Sequence, residues 1–152
     1  MLLRTFQPLE RLRGCRVLVG GWEWVSPGER RAYRAMVAAM ERAGVCTEGR
    51  PPVWAWRGEL RLLDAAMLFD PEYQLSAGFA TVEFEAPDEL AVCSDYGRWN
   101  DYLAGDGSWE VCPEPEREPA QVCLPYLLPE WTRDVRPLPV AGWDELDLTA
   151  PV

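Results

Sequence analysis

The stretch GFATVEFEA, residues 78–86, alternates along its whole length. Phe79, Thr81, Glu83 and Glu85 fall on one side, and Ala80, Val82, Phe84 and Ala86 on the other. Strand side chains point to opposite faces with period two, so the pattern predicts a half-buried β-strand. Pro87-Asp88 then turns the chain, and Leu90 to Cys93 reads as another strand. On the N-terminal side, PPVWAW (51–56) is strand-like, and LLRTFQ (Leu2 to Gln7) reads as a first strand. CRVLVGG (15–21) is a β-rich or extended run ending in two glycines. AQVCLPYLL (120–128) is also strand-like, with Pro125 marking an edge or a bend. A last extended segment ends near Val140.

Between these runs lie helical signals. Ser26-Pro27-Gly28-Glu29 has the residues of a capping box, with Ser at the N-cap, Pro at N1 and Glu at N3. It predicts a helix to about Ala43, stopped by Gly44, with Tyr33, Met36, Val37 and Met40 as its apolar stripe. Arg30, Arg31, Arg34, Glu41 and Arg42 cover the other side as a solvated face. Pro8 opens a single turn ending at Gly14. Residues 59–69 form a short helix that Asp70-Pro71 stops, and Asp95 caps another carrying Trp99, Tyr102 and Leu103. Residues 105–119, rich in Gly, Pro and acid, read as a loop. Helices and strands mix without βαβ alternation. The expected fold is therefore α+β: a mainly antiparallel sheet of short strands with one long capped helix and two or three short helices. Residues 1–140 make a single domain, and 141–152 an acidic, loosely held tail.

Composition narrows the chemistry. The 152 residues are 48% apolar and include eight tryptophans, enough for a sizeable core. The net charge is −10, which opposes direct nucleic-acid binding because phosphate contacts need Lys and Arg. It is compatible with a protein that competes with nucleic acid for a basic partner. There is no Lys, His or Ile, and all 15 basic residues are Arg. Without His there is no Ser-His-Asp triad, no Cys-His pair and no His metal ligand. Acid–base work falls to Asp, Glu, Tyr or Cys. The five cysteines, Cys15, Cys46, Cys93, Cys112 and Cys123, are odd in number and show no C-x-x-C spacing. That argues against zinc and against a disulfide framework, and for reduced thiols in a cytoplasmic protein. The N-terminus does not read as a signal peptide, and no apolar run reaches membrane-spanning length.

Four stretches in order, RTFQ at the start, PPVWAW after the capped helix, AVCSDYGRWNDYL, and AQVCLPYLLPEWTRDVRPL, resemble the bacterial family of domain of unknown function 3841. The resemblance covers most of residues 2–140. Family members often carry His after the Trp of the third stretch; here that position is Asn100, so no role of that His transfers. A more distant likeness is to ADP-ribosyltransferase-like domains, which implies a nucleotide- or NAD-handling layout. In that fold a late strand supplies a catalytic Glu to the oxocarbenium-like centre. The matching stretch, Ala120-Gln121-Val122-Cys123, offers Gln or Cys instead, and a neutral amide cannot supply that charge.

The candidate ligand residues are Thr5, Gln7, Trp54, Trp56, Asp95 and Gln121, with NAD as the cofactor the likeness implies. Trp54 and Trp56 share a strand face and either stack a base or pack on the capped helix. Thr5 and Gln7 share one face of the first strand and either bind an amide or ribose or face solvent, while Arg4 is a phosphate ligand or surface charge. Ser94-Asp95 is either a capping step, which explains it fully, or catalytic; Glu83 and Glu85 resemble paired acids or a solvent-facing pair, and Glu110 would be a loop acid. Cys123 reads as a small core residue. Two functions follow. The first is a nucleotide-handling cleft lined by Thr5, Gln7, Trp54, Trp56 and Gln121. The second is a non-enzymatic acidic interaction module for a basic protein. A cleft requires those five side chains to converge.

Overall fold

The computed structural model describes residues 1–14, 16–111 and 118–152. Cys15, Cys112 and the middle of the expected 105–119 loop lie outside them. In chain order the elements are β1 (Leu2–Pro8), α1 (Leu9–Leu12), β2 (Leu18–Val19), α2 (Arg30–Arg42), β3 (Val53–Arg57), α3 (Leu62–Leu68) and β4 (Phe79–Glu85). Then come β5 (Val92–Ser94), α4 (Tyr96–Leu103), β6 (Ala120–Leu124), β7 (Tyr126–Leu127) and β8 (Thr132–Pro137). Six strands form one sheet in the order β5-β6-β3-β1-β4-β8, every neighbouring pair antiparallel. The fold is α+β with an antiparallel sheet, as the alternation and the absence of βαβ units predict. None of the described helices is long and apolar enough to cross a membrane.

The decisive strand behaves differently from its expectation in one respect. β4 lies between β1 and β8, and from Phe79 to Val82 both of its faces are buried. It is half-buried only toward its end, at Glu83 and Glu85. The cause is that each face of the sheet has its own cover. Residues opposite one another in an antiparallel ladder share a face. The first face gathers Leu3, Val53, Ala55, Val82, Phe84, Val122 and Leu124, and is closed by Leu18 and Leu127 of a separate β2–β7 ribbon. The second face carries two covers. α2 and α4 set Met36, Met40 and Trp99 against Cys123 and Val92. α3 and the C-terminal segment set Leu62, Ala65, Leu146 and Leu148 against Phe6, Trp56 and Phe79. Each large apolar side chain so buried contributes roughly 1.5–3 kcal/mol.

Several boundaries move. The expected long capped helix starts at Arg30, not beside Ser26, and runs 13 residues. Ser26 makes no capping bond; instead its carbonyl accepts the Glu29 N–H at 3.0 Å, closing a turn. Gly28 within that turn disfavours helical backbone. The far end holds: Gly44 has φ +89° and the Val45 N–H reaches the Met40 carbonyl, a left-handed stop. The run 15–21 is strand only at Leu18–Val19, where it pairs with Tyr126 and Leu127. Pro125 is a bend: it ends β6, an interior strand, and passes the chain into the ribbon. The tail expected to be loose is docked. Leu148 and Ala150 carbonyls accept the Leu63 and Leu62 N–H groups, and the Val152 N–H donates to Leu60. Leu146, Leu148, Ala150 and Val152, every second residue, pack on the α3 cluster.

Candidate functional site

The registers place a row of side chains straight across the second face. Ser94 opposes Gln121, Gln121 opposes Trp56, Trp56 opposes Arg4, and Arg4 opposes Glu83. Trp54 follows two residues along, opposite Cys123. Three of the predicted ligand residues, Trp54, Trp56 and Gln121, are therefore on one face, with Ser94 and its neighbour Asp95 at the end of the row.

Thr5 and Gln7 are not among them. The register Arg4–Trp56 puts even-numbered β1 residues with the tryptophans and sends Thr5 and Gln7 through to the first face, opposite Val82 and Ala80. They are buried there rather than turned to solvent. Their polar groups form a chain of bonds that pins four elements. Thr5 Oγ1 donates to the Trp54 carbonyl at 2.7 Å, and Gln7 Nε2 donates to Thr5 Oγ1 at 3.0 Å. Arg11 donates to Gln7 Oε1 at 3.3 Å and to the Val19 carbonyl at 2.7 Å. The five expected cleft residues do not converge; the sheet itself separates them.

On the second face the indoles are packing elements. Trp56 is 9% exposed and lies 6.1 Å from the Phe6 ring. Trp54 donates from Nε1 to Tyr33 Oη at 3.3 Å and sits 5.5 Å from Trp99, which in turn is 5.1 Å from Trp109. Burial pushes the Tyr33 hydroxyl above its ordinary pKa, against the smaller opposing effect of the Trp54 hydrogen bond. Trp109 anchors the segment after α4 by donating to Ser94 Oγ at 2.8 Å. Asp95 does what a cap does: its Oδ1 accepts the Arg98 N–H at 2.9 Å. Cys123 is buried 3.8 Å from the Met36 sulfur, and burial holds its thiol well above the usual range.

The charged end of the row is neutralised. Arg4 Nη2 meets Glu83 Oε2 at 2.6 Å, and its Nη1 donates to the Gly58 carbonyl at 2.7 Å. Glu83 also faces Arg136 at 3.7 Å, and Glu85 pairs with Arg133. Arg4 is thus engaged by Glu83 and the Gly58 carbonyl rather than free to bind a phosphate, and the two glutamates are ion-paired rather than poised as acid and base. Glu110 is exposed beside the inward-facing Trp109. One group in the row stands out: Gln121 is 3% exposed, and its Oε1 has no hydrogen-bond partner among the described residues.

Two surface cavities lie elsewhere. One of about 320 Å³ is lined by Val17, Val19, Cys46, Thr47, Arg50 and Tyr126 among others; one of about 240 Å³ lies between Leu62, Arg136, Leu138 and Pro151. Neither is lined by any of the six predicted residues. Among the described residues no group of three His, Cys, Asp or Glu side chains is placed to hold a metal ion. The sequence reading passed over the exposed apolar residues of 63–73: Leu63 at 43%, Met67 at 75% and Tyr73 at 81% exposure. The available signal was a surplus. A helix of seven residues, LLDAAML, has more apolar side chains than one buried stripe can use. No protein-family model, no curated protein and no solved structure matches the chain.

Proposed function

We propose that this domain is a non-enzymatic interaction module whose acidic surface engages a basic protein partner. The observation that carries the reading is the division of the cleft residues between two faces of the sheet: Thr5 and Gln7 serve a backbone relay on one, and Trp54 and Trp56 serve packing on the other. With those side chains engaged, the net charge of −10 supports recognition of a basic protein. The likeness to domain of unknown function 3841 belongs to the same proposal. Its four stretches fall on β1, β3, β5–α4 and β6–β8, and the strands β5, β6, β3 and β1 are consecutive neighbours in the sheet.

Thermal-shift and tryptophan-fluorescence titrations with NAD, ADP-ribose and nicotinamide test the reading, together with reconstitution of a stoichiometric complex from pure domain and a pure basic protein. The expected result is an unmoved melting temperature with all three small molecules and a salt-sensitive protein complex. Saturable quenching by NAD or ADP-ribose refutes it.

One observation favours the nucleotide reading instead. The Gln121 carbonyl oxygen is buried on the face that holds both indoles, without a partner among the described residues. A ligand amide seated there would satisfy it. Under that reading Gln121→Leu abolishes the fluorescence response to nicotinamide; under the interaction reading no such response exists to lose.

A further inference from the structure

The surface made by residues 59–76 and the C-terminal segment combines two features. The first is an apolar face. Leu63 and Met67 stand four apart on α3 and therefore point the same way, outward, and Tyr73 follows on the turn that Asp70 holds with its Oδ1. α3 buries Leu62 and Ala65 on its other side, so these exposed side chains are surplus to the core. The second feature is charge. Residues 59–76 and 141–152 carry seven carboxylates, Glu59, Asp64, Asp70, Glu72, Asp144, Glu145 and Asp147, against the single Arg61. Six of the ten net negative charges thus fall in these two segments. The chain folds them together: the Leu148 and Ala150 carbonyls accept the Leu63 and Leu62 N–H groups in the first turn of α3. Among the described residues none of these seven carboxylates has an arginine within ion-pair distance, in contrast to Glu83 and Glu85.

We infer that this acid-rimmed face of α3 is a docking surface for a basic amphipathic segment of a partner protein. The inference rests on the interaction-module reading and says where the partner sits. Apolar residues of such a segment cover Leu63, Met67 and Tyr73, and its Arg or Lys side chains meet the surrounding carboxylates. Methionine suits the task, because its unbranched, polarizable side chain adapts to different partners. The same charge repels phosphates, so nucleic acid and anionic lipid are poor occupants.

The test uses a fluorescein-labelled amphipathic helical peptide of Leu and Arg, its Leu and Glu counterpart, and anisotropy titration of the full chain. The expected result is salt-sensitive binding of the Leu/Arg peptide only. Met67→Ser with Tyr73→Ser should weaken it about tenfold or more, as should Glu59→Gln with Glu72→Gln. Arg31→Gln with Arg34→Gln on α2 should leave it unchanged. All these positions are exposed, and matching melting temperatures verify that each variant folds. Equal binding by the chain and by both α3-face variants overturns the docking site while leaving the interaction reading standing. No binding of the Leu/Arg peptide, joined to a saturable response to NAD, overturns both. A concentration-dependent dimer that Met67→Ser with Tyr73→Ser dissolves overturns the basic partner in favour of a second copy of the chain.

Discussion

Gln121→Leu tests whether the buried amide on the second face of the sheet costs the fold stability. Gln121 is 3% exposed, flanked across the ladder by Trp56 and Ser94, and its Oε1 has no partner among the described residues. A buried acceptor left unpaired costs about 1–3 kcal/mol relative to its hydrated state, and an apolar side chain of similar shape relieves that cost. Leu has nearly the volume of Gln, so the cavity term is small. The expected net effect is stabilisation of about 1 kcal/mol, a rise in melting temperature of roughly 2–4 °C for a chain of this size. Calorimetry and urea unfolding of the two proteins measure it. Trp56→Ala, run beside it, should destabilise by about 3–5 kcal/mol, because that indole joins the Phe6 and Leu62 cluster. A Gln121→Leu variant destabilised by more than about 1 kcal/mol refutes the reasoning. It would mean that the amide makes an interaction stronger than the penalty its bare oxygen incurs.

Thr5→Val removes the donor to the Trp54 carbonyl and the acceptor of Gln7 Nε2 together, and should cost about 1–3 kcal/mol in urea unfolding, whereas Thr5→Ser keeps both bonds. Asp95→Ala removes the cap of α4 and should cost about 1 kcal/mol by the same measurement, with Asp95→Asn retaining most of the stability. Asp147 is held below the ordinary aspartate value by hydrogen bonds from the Thr149 hydroxyl and backbone N–H. A depressed carboxylate stabilises the fold above its unfolded pKa, near 4, and that stabilisation disappears as pH falls through the lower folded value. Thr149→Val should raise the Asp147 pKa toward the ordinary value, read from side-chain NMR titration.

The local elements were legible because each depends on a few neighbouring residues. GFATVEFEA announced β4 by its period of two, Gly44 announced the end of α2, and Asp95 announced the start of α4. The failures arose where two local signals competed or where the partner lay far along the chain. Ser26-x-x-Glu29 spells a capping box, yet Gly28 between them favours the turn that forms. The tail, read as loose from its acids, is docked by the alternation of Leu146, Leu148, Ala150 and Val152, a period-two pattern that its charges obscured.

The candidate site turned on a single non-local quantity, the register of β1 against β3. With Arg4 opposite Trp56, Thr5 and Gln7 face away from both indoles. A slip of one residue would set Thr5 opposite Trp56 and gather all five predicted residues on one face, because a one-residue shift exchanges the two faces of a strand. Nothing in RTFQ or PPVWAW, read separately, states that integer. What selects it is the burial each face then achieves: the observed register places Phe6 with Trp56 and Phe79 under α3, and Leu3 with Val82 and Phe84 under the ribbon. It also sets Thr81 on the second face with Gln121, and among the described residues Thr81 Oγ1 and Gln121 Oε1 have no hydrogen-bond partner. Apolar burial on both faces outweighs a few kcal/mol of unpaired polar groups. The register that splits the expected cleft is therefore the one the core selects, and the surplus left over, Leu63, Met67 and Tyr73, is turned outward among the acids.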